Sequence, residues 1–205
     1  RYETLDGQWR AGGRGGDQLL TTHTTVLLEA GAQAARIGAE LLDARAFLDD
    51  AGTLLDTTQV GALDLLQAYV VLDFSHAFAH PYAGRLRLGR QTRDFGSRRL
   101  LARNRFRNTI NGFTGADWQL TAPGGWHADL FVAMPQRRLP TALADLDDNK
   151  AEIDAEDTGT VVWLAAWRSA PHARRGQLEL YVLGLDESDA RFATRNRRLV
   201  TPALR

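Results

Sequence analysis

The chain has 205 residues, with 25 basic and 25 acidic residues and a formal net charge of zero, which excludes a strongly basic nucleic-acid binder and an acidic solvating tail. Its hydrophobic share of 44% is that of a folded chain of about one domain, not of a disordered one. Cysteine is absent, so disulfide frameworks, thiolate metal sites and cysteine nucleophiles are excluded.

The apolar pattern has a period of two along most of the chain, which predicts strands near 1–9, 22–31, 34–48, 64–75, 83–92, 107–121, 125–135, 158–168, 177–186 and 194–204. In the third segment Ala35, Ile37, Ala39 and Leu41 alternate with Arg36, Gly38 and Glu40. Leu54–Leu72 carries a mixed signal: a short helix around 59–66 fits a loop, but Leu66, Ala68, Val70, Leu72 and Phe74 alternate with polar or opposed partners and predict strand. Arg85, Arg87, Gly89 and Gln91 alternate with Leu86 and Leu88. Further on, Ala128, Leu130, Val132 and Met134 oppose His127, Asp129, Phe131 and Ala133, and Leu178, Leu180 and Val182 oppose Glu179, Tyr181 and Leu183. Such alternation describes strands with one face in an apolar medium and one in a polar medium.

Turn and loop clusters separate the segments: Gly12–Gly16, Asp49–Gly52, Ala122–Gly125 and the acidic run Asp145–Asp157, which reads as a mobile extracellular loop. Many segments run to about 10 residues, the length of a tilted membrane-crossing strand rather than of a short soluble one. Short separations alternate with long ones, as in an outer-membrane barrel meander. No stretch reaches the ~18 consecutive apolar residues of a spanning helix, and no signal peptide opens the chain.

Lys150 is the single lysine among the 25 basic residues. Nine arginines fall between positions 85 and 107: Arg85, Arg87, Arg90, Arg93, Arg98, Arg99, Arg103, Arg105 and Arg107. Arg85 and Arg87 share one strand face, and Arg103, Arg105 and Arg107 share another, opposite Phe106 and Ile110. If the apolar parity meets lipid, the arginines point into a lumen, because an arginine on the lipid face costs about 2–4 kcal/mol at mid-bilayer. Guanidinium groups there would favour carboxylate polyanions by charge and by fork geometry. A solvated basic loop or the outer face of a soluble sheet fits the same pattern. Glu40, Asp43, Asp117 and Glu179 lie on or near strands and are either counter-charges in such a lumen or ordinary surface charge.

Other chemistry finds little support. His76 and His80 flank Ala-Phe-Ala before Pro81 without a metalloprotease pattern. The acidic run lacks EF-hand spacing, no Gly-x-Ser-x-Gly elbow accompanies Asp154, Ser97 or Ser169, and the glycine run lacks a phosphate-loop ending. The sequence therefore predicts no catalytic residue, no metal site and no cofactor, and nucleic acid is not an expected partner. Tryptophans and tyrosines in or next to the strands fit either interfacial girdles or a sandwich core.

Several motifs resemble those of the alginate export family of outer-membrane porins: Asp64–Val70 followed by Leu86-Arg87-Leu88-Gly89-Arg90-Gln91, then Phe95–Leu100 and Asn108–Phe113. Arg1-Tyr2-Glu3, Leu42–Arg45, Trp126–Phe131 and Leu180–Asp186 follow the same order over most of the chain. The resemblance implies an antiparallel up-and-down transmembrane β-barrel of about eighteen strands in the Gram-negative outer membrane, with an arginine-rich lumen that passes alginate. By position it places Arg45, Arg87, Arg90 and the Arg98–Arg107 group on the anion path; strand parity adds Arg85, and the place of Glu40, Asp43 and Asp117 on or near strands makes them the expected counter-charges. Arg90 has the parity of Leu86 and Leu88, which puts it at a strand end beyond the hydrocarbon. The implied partners are an anionic polysaccharide such as alginate, outer-membrane lipid and periplasmic secretion-complex proteins. Ten strands are about half such a barrel, so the expectation is an all-β, open N-terminal portion of one barrel domain, with Pro202 weakening the last strand. The alternatives are a soluble β-sandwich that binds acidic carbohydrate and a polyuronate-cleaving enzyme, for which no clustered acid–base set is present.

Overall fold

A computed structural model describes residues 1–5, 16–49, 55–74, 82–172 and 176–205. The elements in chain order are β1 (Tyr2–Leu5), β2 (Asp17–Gly31), β3 (Ala35–Phe47), β4 (Gly61–Asp73), β5 (Ala83–Gln91), β6 (Phe113–Thr121), β7 (His127–Arg137), α1 (Leu143–Asp147), β8 (Ala155–Glu156), β9 (Thr160–Arg168), β10 (Glu179–Glu187) and β11 (Arg198–Leu204). Ten strands follow one another across a single sheet in chain order, every neighbour antiparallel, and β8 pairs antiparallel with the last residues of β7, off this path. This is the open meander that the alternation predicts. Among the described residues no second sheet covers it, so the sandwich is not the fold.

The strands run from 13 to 15 residues in β2, β3 and β4 and from 7 to 11 in β5–β7 and β9–β11. Their side chains sort onto two unlike faces. In β3 Gly38, Glu40, Leu42, Ala44 and Ala46 are buried, whereas Ile37 and Leu41 are exposed. Cross-strand registers carry this split through the sheet. One row reads Ile37, Val70, Leu88, Ala116, Val132, Trp163, Gly184 and Val200. It lies on a bare face, where Ile37 is 61% and Val200 59% exposed. The Trp163 indole fills the space over Gly184, where a Cβ would come within 1.9 Å of the ring. Its Nε1 donates to Asp186 at 3.2 Å.

The other face is covered by the chain's own connections. Among the described residues, 55–60, 92–112, 138–159 and 188–197 lie at one end of the sheet, and 32–34, 122–126 and 169–172 lie at the opposite end. Phe95 and Leu101 from the segment 92–112 pack with Phe113, Phe131, Ala133 and Leu164, and Ile110 packs with Leu42, Ala44 and Leu66. Leu55, Val60 and Leu146 meet Ala46. Burial of each such leucine or phenylalanine contributes roughly 1.5–3 kcal/mol, so these connections are core.

This packing corrects two expectations. The predicted strand 107–121 begins only at Phe113, because Ile110 and Leu101 turn the preceding residues down onto the sheet. Arg103, Arg105 and Arg107 therefore sit on a folded-over loop, not on a strand face. The acidic run is not a solvated loop throughout: it holds α1 and β8, with Asn149, Asp154 and Asp157 buried. Asn149 both donates to Ala46 O at 2.7 Å and accepts from Ala46 N at 2.9 Å, continuing the ladder of β3 where β4 has not yet begun. In place of the helix considered near 59–66, residues 61–66 are the start of β4, entered from a turn at 57–59. His76, His80 and most of the run Gly12–Gly16 lie outside the described residues.

Pro202 is accommodated in β11. Glu179 and Arg205 exchange both backbone hydrogen bonds at 2.8 and 2.9 Å, so the alternation turns residue 202 away from β10. The missing N–H falls on the free edge of the described sheet, the one side of a strand where proline costs no ladder bond.

Candidate functional site

The covered face is where the charges gather. Arg85 and Arg87 reach it from alternate positions of β5, opposite Gln119 and Asp117 of β6 and Asp73 and Val71 of β4. Arg85 lies 3.6 Å from Asp73. Arg87 has a different support: its guanidinium carbon stands 4.5 Å from the centroid of the Tyr69 ring. That ring in turn occupies the space over Gly38, where a Cβ would meet it at 2.5 Å, and its hydroxyl donates to Glu29 at 2.8 Å. A glycine on β3, an aromatic on β4 and an arginine on β5 thus stack across three strands.

The loop 92–112 brings more arginines over the same face. Arg93 donates to Asp117 at 3.0 Å and to Asp129 at 2.7 Å, tying β6 to β7 with all three side chains mostly buried. Arg103 forms a two-pronged pair with Glu40, one bond measuring 2.9 Å, and donates to Thr92 at 3.0 Å. Gln67 also donates to Glu40 and accepts from Thr92 N at 2.9 Å. Beyond that clamp, Arg105, Phe106 and Arg107 line a cavity of about 1110 Å³ with His23, Glu40 and Gln67. A second cavity of about 240 Å³ lies between Arg85, Arg87, Arg93, Arg103, Asp117 and Gln119. A third, of about 310 Å³, holds Arg99 near Glu179, Tyr181 and Arg205.

The arginines singled out from the sequence divide into two sets. Arg45, Arg85, Arg90, Arg98 and Arg103 have carboxylate partners in Asp43, Asp73, Glu156, Asp94 and Glu40. Among the described residues Arg87, Arg99, Arg105 and Arg107 have no carboxylate oxygen within 4.0 Å, although Asp117 faces Arg87 across β5 and β6 and feels its charge. The sheet does not bring all nine together. Asp43 and Arg45 carry the parity of Ile37 and Leu41 and pair with each other on the bare-face side, near the loop-rich end of β3. Arg90 sits at the loop-rich end of β5, where its guanidinium donates to Asp154 O at 2.9 Å. Arg98 is exposed, and its guanidinium pairs with Asp94, four residues earlier, at 3.2 Å.

Under the segment 138–159, Asp154 accepts from Leu139 N at 2.9 Å and gives its own N–H to Asp64 at 3.0 Å. Burial, with the Asp64 carboxylate beside it, pushes the Asp154 carboxyl up to about 7. Arg138, its pKa lowered by burial and by Arg107, donates to Asn111 and so joins this segment to the loop 92–112.

Sequence reasoning did not select Arg93, Arg138, Arg168 or Arg205 as site residues. Arg168 and Arg205 both grip Glu179, at 3.1 and 2.7 Å. Arg93 belongs to the same arginine run, but parity says nothing about a residue on a loop. Among the described residues no group of three or more histidine or acidic side chains is placed to hold a metal ion, and no helix is long and apolar enough to cross a membrane.

An all-β antiparallel meander with one apolar bare face and one charged, loop-covered face is the kind of sheet from which barrels are built. A family model described as alginate export matches residues 5–205, and the chain belongs to the alginate export family, a transport family of the outer-membrane β-barrel type. No curated protein and no solved structure matches the chain. Membership supports a role in alginate export.

Proposed function

We propose that this chain forms the N-terminal portion of a single-domain outer-membrane porin, which conducts an anionic polysaccharide such as alginate by passive diffusion along an arginine-lined path. The observation that carries the reading is the unpaired set. Among the described residues Arg87, Arg105 and Arg107 line cavities on the covered face without a carboxylate oxygen within 4.0 Å, while their neighbours Arg85, Arg93 and Arg103 each pair with at least one. The unpaired groups offer charge to a passing polyanion; the neutralised ones hold the wall. Alternation of the two keeps binding weak and repeated, as conduction requires. Rows such as Ile37, Val70, Leu88 and Val132 support lipid as the medium on the bare face, since large contiguous apolar exposure marks a membrane or partner surface.

The test is reconstitution of the full-length protein in planar bilayers, with the reversal potential measured in a salt gradient. Anion preference is expected, and it should fall in the Arg87→Ala/Arg105→Ala/Arg107→Ala variant. Cation selectivity in the parent protein, or unchanged anion conductance in the variant, would overturn the reading.

A further inference from the structure

Phe106 is 83% exposed, the largest exposure of any big apolar side chain among the described residues. It does not belong to the bare-face rows. It lines the cavity of about 1110 Å³ on the opposite, charged side, between Arg105 and Arg107. An aromatic ring left in water among cations contributes no burial and loses apolar transfer energy, so packing gives no account of it.

The backbone presents this tip deliberately. Asn104 sits at φ +53° and its side-chain oxygen accepts the Phe106 N–H at 3.2 Å, a local turn that fixes the approach to the ring. On one side the Arg103–Glu40 pair anchors the loop. On the other, Asn108 Nδ2 donates to the carbonyls of Thr22, Arg45 and Gln59 at 3.0, 3.3 and 2.7 Å. Residues 105–107 hang between two fixed points, and neither arginine of the three has an acidic partner among the described residues.

The chemistry of the trio is specific. The face of a phenyl ring is electron-rich and the C–H bonds on the face of a pyranose ring are electron-poor, so the two attract when stacked. Guanidinium forks on either side match the carboxylates of uronate residues. We propose that Arg105-Phe106-Arg107 is a sugar-ring recognition element, in which Phe106 stacks on one pyranose of an acidic polysaccharide while Arg105 and Arg107 hold carboxylates of that chain. The inference rests on the porin reading and deepens it: a lumen selected by charge alone accepts any polyanion, whereas this tip distinguishes a polyuronate from a polyanion without sugar rings.

Single-channel recordings of the full-length protein test it, with alginate oligosaccharides and poly-L-glutamate of matched charge as separate blockers. The parent channel should hold the uronate longer. Phe106→Ala should shorten uronate residence about two- to tenfold, the equivalent of one aromatic contact. It should leave poly-L-glutamate residence and the reversal potential unchanged, and Phe106→Tyr or Phe106→Trp should restore uronate residence. The proposal is overturned if Phe106→Ala leaves uronate residence unchanged, if it shortens both residences equally, or if it lowers the unfolding temperature in detergent with no change in residence. A silent Phe106→Ala in an anion-selective channel sinks this inference alone; a cation-selective parent channel sinks the porin reading and this inference with it.

Discussion

Replacing Arg103 by alanine removes the guanidinium that fastens the loop 92–112 to β3. Both oxygens of Glu40 lose a charged donor, and Thr92 loses a bond of 3.0 Å. The Glu40 side chain is only 5% exposed, so its charge is left in a poorly hydrated place. Breaking one side of a buried ion pair costs about 3–5 kcal/mol. Arg103 is 20% exposed and Gln67 still donates to Glu40, which places the expected loss near the low end, about 3 kcal/mol. If the unpaired charge is the cause, removing it as well should recover stability: Arg103→Ala/Glu40→Gln should lie within about 1–2 kcal/mol of the parent, with Glu40→Gln as the second single variant. Urea unfolding from detergent micelles measures all four states of the cycle, and protease cleavage within 92–112 reports the loop itself. The reasoning is refuted if Arg103→Ala costs less than about 1 kcal/mol, or if the double variant loses the sum of the two single losses.

Arg93→Ala strips Asp117 and Asp129 of a shared cation and should cost about 3–5 kcal/mol in the same unfolding assay; Arg93→Lys, a point charge instead of a fork, should recover only part of it. Asp154 takes up a proton in the folded chain near pH 7 but only near 3.8 when unfolded, so its contribution to docking the segment 138–159 is full in acid and is lost as pH rises through about 7. Proteolysis of that segment should accelerate between about pH 4 and pH 7, by an energy of up to about 4 kcal/mol over the whole window, and Asp154→Asn should flatten the profile. Leu88→Arg places a charge in the bare-face row and should lower stability in lipid vesicles by about 2–4 kcal/mol, with little effect if that face is bathed in water.

Faces were more legible than loops. Period-two alternation located Ile37, Leu41, Leu130, Val132 and Leu180 on the bare side, because each strand residue inherits its direction from its neighbour. It also placed Arg85 and Arg87 opposite them. The same rule failed for Arg103, Arg105 and Arg107, where Arg103-Asn104-Arg105-Phe106-Arg107 alternates yet folds as a loop. What decides there is contact between Leu101 or Ile110 and residues of strands far away in sequence, which no local pattern encodes. Arg45 shows the complementary limit: the β3 parity that exposes Ile37 also carries Asp43 and Arg45 to the bare side, where a local ion pair satisfies both. Acidic partners such as Asp129 for Arg93 were invisible for the same reason, being set by tertiary distance.

The stack of Gly38, Tyr69 and Arg87 has a bearing on how the wall behaves in brine. A cation seated on an aromatic ring is oriented by contact, at a range where mobile ions do not intrude, whereas lateral attractions between solvated charges fade over about 8–10 Å of electrolyte. Rising ionic strength should therefore weaken the pull of Arg87 on distant anions without letting its side chain wander. The geometry of that position stays constant while its reach contracts.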